Sequence, residues 1–160
     1  MRSNIPSNMD DVIDSRDVIG RIKELETERD DLDDTLTSAI GEEHDTHAEI
    51  GTDEREDLIT AITNAREALT DWDADNGEEL KALQSLADDA SGSPDWKYGE
   101  TLIRDSYFEE YAQQLADDIG AINANASWPN DCIDWERAAR QLQMDYTSVD
   151  FDGIDYWIRS

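Results

Sequence analysis

The chain has 160 residues, and its 41 aspartates and glutamates against 13 lysines and arginines give a formal net charge of −28. A surface this acidic repels nucleic acid and anionic lipid and works against its own compact state, which excludes sequence-directed DNA reading. With 38% hydrophobic residues, five Trp and five Tyr, the chain can still fill a core, so it reads as one modest domain or a small domain with an appendage, not as a disordered acidic tail.

In chain order, apolar positions first fall at Val18, Ile22, Leu25, Leu32, Leu36 and Ala39. That four-three spacing predicts a helix with a narrow apolar stripe, in which Arg29 occupies one seam position. The polar stretch from Gly41 to Thr52, with two glycines, reads as a connection. Leu58, Ile62, Ala65, Leu69 and Trp72 then repeat the spacing, so the region predicts an antiparallel helical hairpin or a dimerising coiled coil. Asn76-Gly77 predicts a break, and Leu80, Leu83, Leu86 and Ala87 a short third helix that stops at Ser91-Gly92-Ser93-Pro94. This places a boundary between an acidic helical region, 1–92, and a compact domain, 93–160.

Aromatic residues concentrate in the second region. Tyr107, Phe108, Tyr111, Leu115 and Ile119 predict an amphipathic helix ended by Gly120, and Asp134 is placed to cap a second helix carrying Trp135, Ala138, Ala139 and Leu142. Ser148–Phe151 and Ile154–Ile158 flank Asp152-Gly153, the dipeptide favoured by a two-residue hairpin turn. In that register Val149 faces Tyr156, Phe151 faces Ile154, and Asp150 faces Asp155, a like-charge pair that costs stability unless both point into solvent in some other pairing. The fold class expected is α+β, mainly α: an N-terminal helical hairpin or coiled coil, then a compact helical domain with a C-terminal β-hairpin.

Signals for chemistry are weak. Cys132 stands alone, so there is neither an internal disulfide nor a Cys/His set for zinc, and no stretch approaches signal-peptide or membrane-helix length. A cytoplasmic protein without cofactor is expected, in which the sequon at Asn125-Ala126-Ser127 carries no weight. Asp71-x-Asp73-x-Asp75 opens like a calcium loop, but its sixth and twelfth positions are Asn76 and Ala82. His44 and His47 beside Glu43 and Asp45 lack a third metal ligand. Asp30-Asp31-Leu32-Asp33-Asp34 resembles the acidic magnesium motif of prenyl-transferring enzymes, but without a second copy it reads as a charged helix face. No nucleophile elbow or phosphate-cradling glycine loop occurs, so catalysis is not expected.

The density of charge is more informative. Duplex DNA carries about one negative charge per ~1.7 Å of axis, so 28 charges correspond to roughly 48 Å of duplex. A compact domain of this length measures about 40 Å across. Acid pairs recur along the predicted helices at Asp30-Asp31, Asp33-Asp34, Glu78-Glu79, Asp88-Asp89, Glu109-Glu110 and Asp117-Asp118, and with Asp150 and Asp155 they form a candidate surface on which carboxylates stand in for phosphates. Halophilic adaptation also yields Asp-rich, Lys-poor surfaces, and the only lysines are Lys23, Lys81 and Lys97.

From Pro94 to Arg159 the sequence resembles small phage and prophage antirestriction proteins, above all in Trp128-Pro129-Asn130-Asp131-Cys132-Ile133-Asp134-Trp135-Glu136 and in Asp145–Gly153. The resemblance covers about two-fifths of the chain and extends to ArdA-type antirestriction proteins, elongated acidic DNA mimics that occupy the DNA groove of type I restriction enzymes. It transfers no individual residue, and the N-terminal heptad region is additional to it. It implies a phage-type inhibitor of a host DNA-binding defence protein, restriction enzyme or CRISPR effector, engaged through that protein's basic channel. The alternatives are an acidic coiled-coil adaptor or assembly protein and a halophile's metal-assisted enzyme. The Arg29 seam position further predicts a homodimer through residues 18 to 72, because a buried arginine there needs an acid from a facing helix.

Overall fold

A computed structural model of the chain describes residues 4–46 and 51–160. It is α+β and mainly α, with four α-helices and a four-stranded antiparallel sheet. By its contacts the chain divides into a unit made of residues 1–21 and 83–160 and a second unit, Ile22–Ala82. The division expected after residue 92 therefore falls elsewhere: of the described residues, 4–21 fold with the C-terminal part. Strand β1 (Val12–Asp14) is the reason, because it pairs antiparallel with β2 (Thr101–Arg104), Ile13 opposite Leu102.

The second unit is a helical hairpin cut from helices α1 (Ser15–Thr46) and α2 (Thr52–Ala90). Their antiparallel register is marked by two cross-helix contacts: Trp72 Nε1 donates to Glu28 at 3.1 Å, and Arg29 Nε donates to Asp73 at 3.0 Å. Helix α1 runs past Gly41, so part of the expected connection is helical. Helix α2 runs through Asn76-Gly77, where a break was expected, and the third helix is only its continuation. A glycine inside a helix costs about 1 kcal/mol, less than uninterrupted burial of Leu80, Leu83 and Leu86 returns, and Asn76 turns its amide onto the Trp72 carbonyl at 3.3 Å instead of competing for the chain. The expected stop after residue 90 is present, with the Ser93 N–H closing a turn on the Ala90 carbonyl. Along the hairpin the seam is thin: Leu32, Leu36, Leu58, Ile62, Leu69 and Trp72 are all half-buried.

In the first unit the sheet order is β1-β2-β4-β3, with β3 (Tyr146–Phe151) and β4 (Ile154–Arg159) joined at Asp152-Gly153. Both turn residues have positive φ, +50° and +81°, as a type I′ turn demands. The register is the expected one, Val149 with Tyr156, Asp150 with Asp155, Phe151 with Ile154. One face of the sheet packs on α3 (Phe108–Asp118) and α4 (Trp135–Leu142): Ile103, Phe108, Ala112 and Ala139 are buried together, with Tyr111, Leu142, Tyr146 and Trp157 against them. The Phe108 ring is the hub, edge-on to Tyr146 at 5.2 Å and tilted against Tyr111 at 5.6 Å. The opposite face carries Ile13, Leu102, Val149, Tyr156 and Ile158, all buried. Buried side chains Val18, Leu83, Leu86 and Ala90 complete the unit from the first turns of α1 and the last of α2.

Local chemistry sets the ends. Asp14 caps α1 by accepting from the Arg16 N–H at 2.8 Å, and its carboxylate is gripped by the Arg16 guanidinium at 3.0 and 2.6 Å. Ser15, the one buried polar side chain among the described residues, exchanges hydrogen bonds with Glu100 through N–H to carbonyl at 2.9 Å and N–H to Oγ at 2.8 Å. Asp134 caps α4 as expected, accepting from the Arg137 N–H at 3.0 Å.

Candidate functional site

Of the fourteen carboxylates named from the sequence, thirteen are exposed and Glu79 is half-buried. Asp30, Asp31, Asp33, Asp34, Glu78 and Glu79 belong to the hairpin unit. Asp88 and Asp89 at the end of α2, Glu109, Glu110, Asp117 and Asp118 on α3, and Asp150 and Asp155 on the β-hairpin belong to the other unit.

Their positions within the elements differ in energy. Glu109 and Glu110 sit in the first turn of α3, where the positive end of the helix dipole favours a carboxylate. Asp117 and Asp118 close the same helix, and Asp88 and Asp89 close α2, where no basic residue sits in the last turn; each opposes the dipole by about 0.3–1 kcal/mol. Asp150 stands directly across from Asp155, which is also unfavourable. Two carboxylates of the set hold structure: Asp117 Oδ1 accepts from the Ala124 N–H at 3.0 Å and ties down the loop after α3, and Asp150 Oδ1 accepts from the Gly153 N–H at 3.3 Å in the β-hairpin turn.

Between α3 and the segment leading into α4 lies an open cleft of about 600 Å3, lined by Glu110, Gln113, Gln114, Asp117, Asn130, Asp131 and the Trp135 ring among others. The amides were not singled out from the sequence, since nothing in their spacing marks them. Asn130 spends both amide hydrogens on the Asn123 and Ala126 carbonyls, each at 2.7 Å, which leaves its Oδ1 buried without a donor. That amide is a brace for the loop between the helices.

The weaker sequence signals separate. On continuous helix Asp71 and Asp75 share a face one turn apart, while Asp73 between them points to another side and is engaged by Arg29, so the three cannot converge on one ion as a calcium loop requires. His44 lies in the last turn of α1, with Nδ1 3.7 Å from Asp45, while His47 falls outside the described residues. Among the described residues no group of three His, Cys, Asp or Glu is arranged to hold a metal. Arg29 is about half exposed, and the acid it meets comes from its own chain, which raises its pKa further above the ordinary arginine value. The reason given for a second chain at that position is therefore met within one. No helix of the described residues is long and apolar enough to cross a membrane.

No protein-family model matches the chain, and neither a curated protein nor a solved structure matches it.

Proposed function

We propose that this protein is a DNA mimic that inhibits a host DNA-binding defence complex, of the restriction or CRISPR kind, by occupying its DNA channel with rows of carboxylates and without catalysis. The observation that carries the reading is where the acids stand. A net charge of −28 falls mostly on exposed positions, and several of these oppose stability without bracing the fold: Asp88, Asp89 and Asp118 at helix C-termini, and Asp155 set against Asp150. Positions that cost stability are held for something other than the fold. The likeness of residues 94–159 to phage antirestriction proteins points the same way, and the site of action is then the cytoplasm of the host.

The test is inhibition of duplex cleavage by such a complex. Inhibition is expected to be relieved by added non-cleavable duplex and to fade as salt rises, because charge pairing carries the affinity. Inhibition unchanged by high salt, or indifferent to competing duplex, would overturn the reading.

A second reading, an acidic coiled-coil adaptor, is favoured by the separation of Ile22–Ala82 as its own unit. Replacing Glu109, Glu110, Asp117 and Asp118 by amides distinguishes the two. The mimic loses affinity for its partner, whereas an adaptor working through the hairpin keeps it.

A further inference from the structure

The hairpin bears a feature that a pure charge array does not need. Ile40 and Ile59 are 43% and 50% exposed. Each follows a seam residue by one position, Ala39 and Leu58, as Asp73 follows Trp72. In an antiparallel helix pair these flanking positions share one side, the side on which Arg29 meets Asp73. Counting back along the register from Glu28–Trp72 places Ile40 within one turn of Ile59. Half-buried Leu36 and Ile62 adjoin them at the seam positions of that same side. The result is an apolar strip centred on Ile40 and Ile59 and ended by charged residues, not scattered single residues. Exposed Asp33 lies two turns from Ile40 and exposed Glu56 one turn from Ile59, and exposed Arg55 and Arg66 lie one and two turns from Ile59 on the same side, so charges of both signs border it within a hairpin of strongly negative net charge.

We propose that this strip docks one α-helix of the partner, with apolar residues at three-four spacing on one face and Lys or Arg on its flanks. Charge selects this occupant over a second copy of the chain. Residues 22–82 contain 21 acids and 5 bases, so two hairpins would meet with 16 net negative charges each, while a basic helix is attracted. Helix-in-groove recognition uses this kind of apolar strip, and DNA-binding proteins present basic helices to the major groove, so the proposal rests on the DNA-mimic reading for the source of its helix.

The probe is a synthetic leucine-lysine peptide of about 18 residues with its leucines on one helical face, set against a peptide of the same composition whose leucines are dispersed. The full chain is expected to bind the amphipathic peptide at least about tenfold more tightly at equal salt. An Ile40→Ser/Ile59→Ser variant, with unchanged far-ultraviolet circular dichroism, is expected to lose that preference while still binding both peptides in a salt-dependent way. Equal binding of the two peptides by the native chain, or a preference that survives in the variant, overturns the proposal. So does light scattering that shows a native dimer which the variant dissolves, because the strip then belongs to a second copy. A native chain that prefers the amphipathic peptide but fails to compete with duplex for a defence complex keeps the docking surface and discards the DNA-mimic reading. Competition with duplex alongside equal peptide binding does the reverse.

Discussion

The hairpin and the sheet unit solve the problem of an acidic chain in opposite ways. Residues 22–82 hold 21 acids and 5 bases over a seam of half-buried leucines and isoleucines. The other 99 residues hold 20 acids and 8 bases around a sheet buried on both faces, with Phe108, Leu102, Ile103 and Tyr156 almost fully enclosed. Negative charge is thus densest where the core is thinnest. Stability in the sheet unit comes from apolar burial that salt barely touches, whereas in the hairpin a modest apolar term competes directly with repulsion between carboxylates.

The contrast is sharpest in truncations. Phe108→Ala should destabilise by about 3–5 kcal/mol, since it empties the hub of an enclosed cluster. Leu36→Ala, at a half-buried seam position, should cost only about 1–2 kcal/mol. Chemical denaturation giving equal losses would break the comparison.

Alkali should act on the sheet unit. Burial pushes the Tyr156 hydroxyl up to about 12 and raises Tyr146 as well, with the Tyr111 hydroxyl at 3.3 Å adding to the effect. A group whose folded pKa is raised stabilises fully below its unfolded value and loses that contribution as pH rises through the folded one. Stability should therefore hold up to about pH 10 and decline from there toward 12, and Tyr156→Phe should shallow the decline. A flat profile across that window would contradict the burial argument.

Neutralising Asp30, Asp31, Asp33 and Asp34 to asparagine should raise hairpin stability at low salt by about 1 kcal/mol and leave it unchanged at high salt. The same variant should compete with duplex about tenfold less well. Thermal melts at two salt concentrations check the first outcome, and the cleavage assay checks the second.

The Asp14→Asn change should be similar in size, about 1 kcal/mol at most, since asparagine still caps a helix but no longer holds Arg16 by charge. Hydrogen bonding from Arg16 lowers the Asp14 pKa below 3.8, so its contribution is present above that value and lost as pH falls below it. Acid titration of the variant should lack that component. The smallest effect is a gain: Asp155→Thr should stabilise by a few tenths of a kcal/mol by removing the like-charge pair with Asp150.

Much of this was legible in the sequence because the signals were local. Asp152-Gly153 announces its turn, Asp134 its cap, and the run from Tyr107 to Ile119 its helix, each through contacts within a few residues. Strands β1 and β2 escaped because they are three and four residues long, and because a sheet covered on both faces buries Leu102 and Ile103 in succession, erasing the alternation that marks a half-exposed strand. The break expected at Asn76-Gly77 failed for the opposite reason: local chemistry argued for a stop, and the continuing apolar stripe overrode it. For the candidate site, charge made the carboxylates readable, but which ones oppose a helix dipole, and which brace a loop as Asp117 does, depends on helix ends and tertiary neighbours.

The pairing of β1 with β2 also has a bearing on how the protein comes to be made. Joining Asp14 to Thr101 closes a loop of more than eighty residues, and the entropy of that closure must be met before the sheet contributes anything. A hairpin that zips from its own turn shortens the loop first, because antiparallel helices bring Ile22 and Ala82 back to a common end with only local contacts. Synthesis delivers the hairpin before β2, α3, α4 and the central strand β4 have emerged, so the acidic arm forms early and the sheet closes late. Until then β1 waits with its backbone unpaired, beside Asp10, Asp11 and Asp14, whose charges discourage strands of other nascent chains from adding to it.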